Sequence, residues 1–128
     1  MSWGNIEAVS SLLTATDRQA GRMWADPEIE WVIAAEHPES RTLKGYEAIE
    51  DYLNEWESTL PGMRFVPEEV LDAGERILAI GSVSGTGAGS GAGVEVPIAF
   101  LCSLSGAKVI RVEEYLDPKQ ALRQAGLA

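Results

Sequence analysis

The sequence predicts an α+β protein in which two long helices lie on one face of an antiparallel sheet. Three observations carry this. Before residue 62, apolar side chains recur at steps of three and four. After it they fall into four runs rich in Val, Ile and Phe. The breaks between those runs are short, which makes consecutive strands antiparallel neighbours. A chain of 128 residues is a single domain, 1–128, long enough for one core and too short for two.

Asn5 is a candidate cap for the first helix. Ile6, Val9, Leu13, Thr16, Ala20 and Trp24 then follow as one amphipathic face. Asp26-Pro27 breaks the pattern, and Glu30–His37 reads as a short strand, with a loop over Pro38–Lys44. Gly45 opens a second helix, whose face is Tyr46, Ile49, Leu53, Trp56 and Leu60, and Pro61-Gly62 ends it. The strands expected next are Arg64–Ala73, Glu75–Gly85, Val94–Leu104 and Lys108–Leu116. In the third, Val94, Val96, Ile98, Phe100, Cys102 and Leu104 share a face, while Glu95, Pro97 and Ser103 suggest partial exposure or an edge. Asp117, Pro118 and Gln120 form a capping box for a last short helix, with Gly126 beyond its end.

Twenty acidic against ten basic residues give a net charge of −10. Such a surface repels phosphate backbones and anionic lipid, so neither nucleic acid nor membrane is an expected partner. The one cysteine, Cys102, has no intramolecular disulfide partner and sits among apolar neighbours, as a buried small hydrophobe does. The N-terminal stretch lacks the pattern of a signal peptide, and the expected location is cytoplasmic.

The tract Gly85–Gly93 resembles a dinucleotide loop only superficially. That mechanism needs a helix N-terminus directly after the glycines, whereas VEVPIAF is a strand. A hairpin connection is the better reading. One histidine, one cysteine and scattered carboxylates show no metal-ligand spacing, and no Gly-x-Ser-x-Gly elbow marks a serine nucleophile. His37, at the end of the first expected strand beside Glu36, has a side chain suited to proton transfer near neutrality.

The most informative stretch is Val109–Asp117. At a period of two, Glu114 stands in line with Ile110, Val112 and Leu116, while Val109, Arg111, Glu113 and Tyr115 form the other face. A carboxylate on an apolar face must find a partner, stay protonated or open onto a cavity. Two readings stay open: a salt bridge to Arg64, Arg76 or Arg111, or a proton-transfer group in an apolar pocket. The aromatic residues Trp24, Tyr46 and Trp56 at helical spacing suit a core, and Trp24, Trp31 and Trp56 are also candidate pocket walls.

Three segments, Trp24–Trp31, Gly45–Ile49 and Glu114–Asp117, stand in an order that resembles the nuclear transport factor 2-like superfamily, and within it the SnoaL-like polyketide cyclase group. The resemblance implies an α+β cone: a strongly bent sheet wrapped around a long helix and enclosing a pocket, commonly in a homodimer. It places Glu114 where these cyclases carry a general-base acid. In limonene epoxide hydrolase the corresponding strand also holds an acid, but the arginine and aspartate of an earlier strand fall at Gly81 and Val83 here, against epoxide hydrolysis. In ketosteroid isomerase the base falls near Glu36 or His37, and its oxyanion donors near Ala8 and Ala99, which have no donor to offer.

The expectation from residues and resemblance together is a small hydrophobic organic ligand and a cofactor-free isomerisation, cyclisation or hydration. Glu114 would be the acid or base and Glu36 or His37 the second proton-transfer group. Trp24, Trp31, Trp56 and Tyr115 would contact substrate, and no metal or cofactor is called for. A non-catalytic ligand-binding or dimerisation module on the same fold is the alternative.

Overall fold

The computed structural model describes residues 3–128 and shows a six-stranded curved sheet with four helices. The elements are α1 (Trp3–Thr14), α2 (Arg18–Arg22), β1 (Ala25–Val32), β2 (Thr42–Lys44) and α3 (Tyr46–Thr59). They continue with β3 (Arg64–Asp72), β4 (Arg76–Thr86), β5 (Gly93–Ser105), β6 (Lys108–Tyr115) and α4 (Pro118–Gln124). The strand order is β2-β1-β6-β5-β4-β3, antiparallel throughout except that β1 runs parallel to β6. The sheet is therefore mixed, not purely antiparallel: the chain enters its middle at β1 and returns beside that strand at the end.

Helices α1 and α3 cover one face. Val9, Leu12, Ile49 and Tyr52 pack there against Ile98, Phe100, Cys102 and Val112 in the main core. Helix α4 covers the opposite face through Ala121 and Ala125, against Leu78, Ala99 and Leu101. This second small core explains why the middle of β5 is buried on both sides. Asp117 caps α4 by accepting the Lys119 backbone N–H at 3.0 Å, with Pro118 in the first turn and Gly126 at φ 76° past the end.

The first sixty residues depart from the expected pattern in three places. The first helix starts before Asn5, so Asn5 does not cap it, and it stops at Thr14. Asp17 then caps the separate α2 by accepting from the Gln19 N–H. The first strand is Ala25–Val32, earlier than Glu30–His37. Asp26-Pro27 lies inside it as a bulge: six residues of β1, from Ala25 to Glu30, stand against three of β6, from Val109 to Arg111. The loop over Pro38–Lys44 contains the short strand β2.

The later strands lie within a residue or two of expectation, and the glycine tract is the β4–β5 hairpin. Pro97 pairs only with Ser82, because β6 begins to pair with β5 at Ala99; β5 is locally an edge where Pro97 sits. Curvature has local causes. A bulge in β3 between Pro67 and Glu69 brings its backbone over Gly81, where a Cβ would lie 2.1 Å from the Val66 carbonyl oxygen. Gly106 and Ala107, at φ 57° and 64°, form the two-residue turn between β5 and β6.

Candidate functional site

A second bulge decides which residues β6 sends into the core. Ser103 pairs with Arg111 and Leu104 with Val109, so Ile110 is the extra residue and is exposed. Val109, Val112 and Glu114 point inward as a result, and Ile110 does not share the face of Glu114 as strict alternation suggested. Glu114 sits opposite Phe100 and is 6 % exposed.

Among the described residues no arginine forms a salt bridge with the Glu114 carboxylate. Arg111 pairs with Glu30 and Glu113, and Arg76 donates to the Gln124 carbonyl. The partners are instead uncharged donors from β1, the segment just past it, and α3. Trp31 Nε1–H of β1 donates to Oε2 at 2.6 Å, and the Ala34 backbone N–H just past β1 donates to Oε1 at 3.2 Å. The Tyr52 hydroxyl of α3 lies 2.8 Å from Oε2 and 3.1 Å from Oε1. Indole and amide only donate, whereas the phenol donates or accepts. The set therefore suits a carboxylate and also admits a carboxylic acid donating to Tyr52.

Burial pushes the Glu114 carboxyl above the usual carboxylate range. The Trp31, Tyr52 and Ala34 hydrogen bonds and the nearby His37 pull it back only in part. The Tyr52 phenol is raised too, by burial first and then by the Glu114 carboxylate.

Around this acid lies a mainly apolar cavity of about 70 Å³. A water occupies about 10–15 Å³ on such a measure, so the space holds several waters or a small organic molecule. Its walls include Leu12, Ile49, Trp56, Phe65, Val83 and Ile98, with Trp31 and Tyr52 beside Glu114. Edge-on contacts fix the aromatic wall, with ring centres 5.7 Å apart for Trp31–Phe100 and 5.0 Å for Phe65–Phe100.

Of the candidate catalytic and substrate-contacting residues read from sequence, Glu114, Trp31 and Trp56 line this cavity, and so does Arg64, which makes no salt bridge to Glu114 among the described residues. His37 does not line it. It lies in an outer groove on the far side of Tyr52 and Trp56, its ring centre 6.3 Å from each. His37 Nδ1 accepts the Glu39 N–H at 3.0 Å, which places the proton of the neutral ring on Nε2. Glu36 is exposed in the turn after β1 and lines neither the cavity nor the outer groove, because the strand ends four residues before it. Trp24 packs half-buried against the core beside the cavity without lining it.

Tyr115 is on the opposite face. It packs against the α4 core and donates to Glu113 Oε1 at 2.9 Å, and burial with that carboxylate pushes its phenol up to about 12. Ion pairs continue across that face from Glu113 to Arg111, Glu30 and Lys44. Ala99 is there too, so a donor at 99 would not face the cavity in this chain.

Tyr52 was missed by the sequence reading. Ile49, Tyr52 and Trp56 are spaced three and four apart, as regular a helical face as Ile49, Leu53 and Trp56. Among the described residues no three His, Cys, Asp or Glu side chains form a group that could hold a metal ion. Cys102 is fully buried, and burial pushes its thiol far up.

The family model for the SnoaL-like domain matches residues 6–112, most of the chain. The chain belongs to the SnoaL-like domain family. Solved structures share the fold of this SnoaL-like domain across nearly its whole length. TerC, crystallised with polyporic acid, is 21% identical with a TM-score of 0.76, over 96% of this chain and 98% of that one. A protein with a ketosteroid isomerase-like fold from Catenulispora acidiphila DSM 44928, in complex with trimethylamine, is 20% identical with a TM-score of 0.73, over 95% and 94%. An NTF2-like protein from Burkholderia xenovorans LB400 is 25% identical with a TM-score of 0.71, over 95% of each chain. No curated protein matches the sequence. Among the described residues no helix is long and apolar enough to cross a membrane.

Proposed function

We propose that this SnoaL-like domain binds a small, largely apolar organic molecule and moves a proton on it without a cofactor, with Glu114 as base and then acid. The observation that carries the reading is a buried carboxylate, in no salt bridge among the described residues, on the wall of a mainly apolar cavity. Such a group holds a proton weakly enough to return it and strongly enough to take it. That TerC and the Catenulispora protein were crystallised with small organic molecules supports a pocket of this kind in the fold.

In the proposed step, ionised Glu114 takes a proton from carbon next to a carbonyl. The C–H electron pair passes to the carbonyl oxygen as an enolate. In a β,γ-unsaturated carbonyl compound the proton then returns from Glu114 to the γ carbon as the double bond moves into conjugation, which is an isomerisation. Otherwise the enolate carbon attacks a second carbonyl in the molecule and Glu114 gives its proton to the alkoxide that forms, which is a cyclisation. Tyr52 and Trp31 hold the carboxylate in place through both halves.

The test needs no knowledge of the natural substrate. Small enolisable ketones are incubated with the protein in D2O, and deuterium entering next to the carbonyl is followed by NMR. Exchange above the buffer rate that disappears in Glu114→Gln is the expected result. Exchange equal in parent and variant rejects the role of Glu114.

A non-catalytic ligand-binding module is the second reading. It is favoured by the way both Glu114 oxygens already accept hydrogen bonds, and by Val83 on the cavity wall where a polar group would assist chemistry. Tight ketone binding with no exchange would support it.

A further inference from the structure

Among the described residues, one buried side-chain nitrogen or oxygen has no hydrogen-bond partner: Nε of Arg18. Arg18 is half-buried and lines the same cavity as Glu114. Buried donors are nearly always satisfied, so a guanidinium N–H without a partner, in a side chain that borders a cavity, leaves a place for a ligand acceptor. Two neighbouring charges are engaged elsewhere, and a second cation, Arg64, borders the cavity from the start of β3. Asp17 caps α2, and Arg22 pairs with Glu50 and lies over the Tyr46 ring at 5.1 Å.

The backbone of Arg18 is held in place. Its carbonyl oxygen accepts the Tyr46 hydroxyl of α3 at 3.0 Å. Gly21 makes room for that phenol, since a Cβ there would come within 2.6 Å of the Tyr46 oxygen. Helix α3 thus carries Tyr46 at the Arg18 end of the cavity and Tyr52 at the Glu114 end. Six residues of helix separate them, roughly 9 Å of rise.

We propose that Arg18 anchors the carboxylate of the ligand, and that the ligand class is a small, otherwise apolar carboxylic acid bound as its anion. A guanidinium offers Nε–H and a terminal N–H as a planar fork that matches the two oxygens of a carboxylate. The hydrocarbon remainder then lies along Leu12, Ile49, Phe65 and Ile98 toward Glu114. The proposal deepens the reading above by naming the substrate class. Its binding half stands whether or not Glu114 transfers a proton.

The test is calorimetric titration of the full chain with pentanoate and benzoate, against pentanamide and benzamide, which keep the shape and lose the charge. Both acids are expected to bind about tenfold or more tightly than their amides. Arg18→Gln should remove that preference, and Arg18→Lys should restore part of it. Glu114→Gln should keep the preference or widen it, because a like charge leaves the cavity, even as deuterium exchange is lost. Equal affinity for acid and amide, a preference that survives Arg18→Gln, or no carboxylate binding at millimolar concentration would each overturn the proposal. Loss of exchange alone bears on Glu114 and leaves the anchor standing; loss of acid preference alone does the reverse.

Discussion

The hydroxyl of Tyr52 stands within hydrogen-bond distance of both oxygens of Glu114, at 2.8 and 3.1 Å, across 62 positions of sequence. One phenol on α3 thereby ties the helix to the sheet through the group on which the proposed chemistry turns. Tyr52→Phe removes it with little change of shape. The hydrogen bond lowers the Glu114 pKa, so its loss raises that pKa further. A base must be ionised to act, and the acid limb of a pH–exchange profile should therefore move to higher pH in the variant. Stability should fall by about 1–3 kcal/mol, the range for a buried hydrogen bond to a charged group, as read by urea unfolding.

Glu114 also links stability to pH. Its folded pKa lies above its ordinary value because of burial, so the folded state holds this proton more tightly than the unfolded chain. That contribution is fully present below the unfolded pKa and is lost as pH rises through the folded one. Within that window the loss is about 1.4 kcal/mol per pH unit. Glu114→Gln cannot ionise, so its stability relative to the parent should climb as pH rises from the unfolded pKa, and level off above the folded value. Parallel curves for the two proteins would contradict a desolvated carboxyl.

His37 touches the outer side of Tyr52 and Trp56, not the cavity. His37→Gln should leave exchange within about threefold of the parent, since outer electrostatic contributions of this kind are worth well under 1 kcal/mol. A hundredfold loss would place the histidine in the proton path.

Gly81 sits under the β3 bulge, where any side chain meets the Val66 backbone. Backbone cannot rotate away as a side chain can. Gly81→Ala should cost at least about 2 kcal/mol and lower the unfolding midpoint without changing cavity chemistry.

Ala107 holds φ at 64° in the β5–β6 turn, a conformation that disfavours a side chain. Ala107→Gly should stabilise by about 1 kcal/mol, seen as a higher midpoint in denaturant.

The sheet from Arg64 onward was legible because its runs are apolar and its breaks, Asp-Ala-Gly, the alternating glycine tract and Ser-Gly, are plain turn signals. Glu114 was legible for a related reason: a charge amid Val and Leu is conspicuous. Its partners were not, since Trp31 and Ala34, at and just past the end of β1, and Tyr52, on α3, meet it only through tertiary packing. Asp26-Pro27 misled for a physical reason: a proline expected to stop a strand is accepted at a bulge, where the ladder is already broken. The α1–α2 corner was masked by a face that ran on through Thr16, Ala20 and Trp24, although Asp17 is itself a capping signal. Arg18, one residue on, carries no mark in the sequence that sets it apart; the corner leaves it half-buried beside the cavity.

The extra residue at Ile110 is what aims an acid at the hydrocarbon. Were the strand ironed flat between its turn and Phe100, Glu113 would slide into place opposite Phe100, and Glu114 would turn toward α4. Two neighbouring glutamates thus compete for one address, and the winner is decided by odd or even spacing from the hairpin. A trait as chemical as basicity is written here in the arithmetic of the backbone.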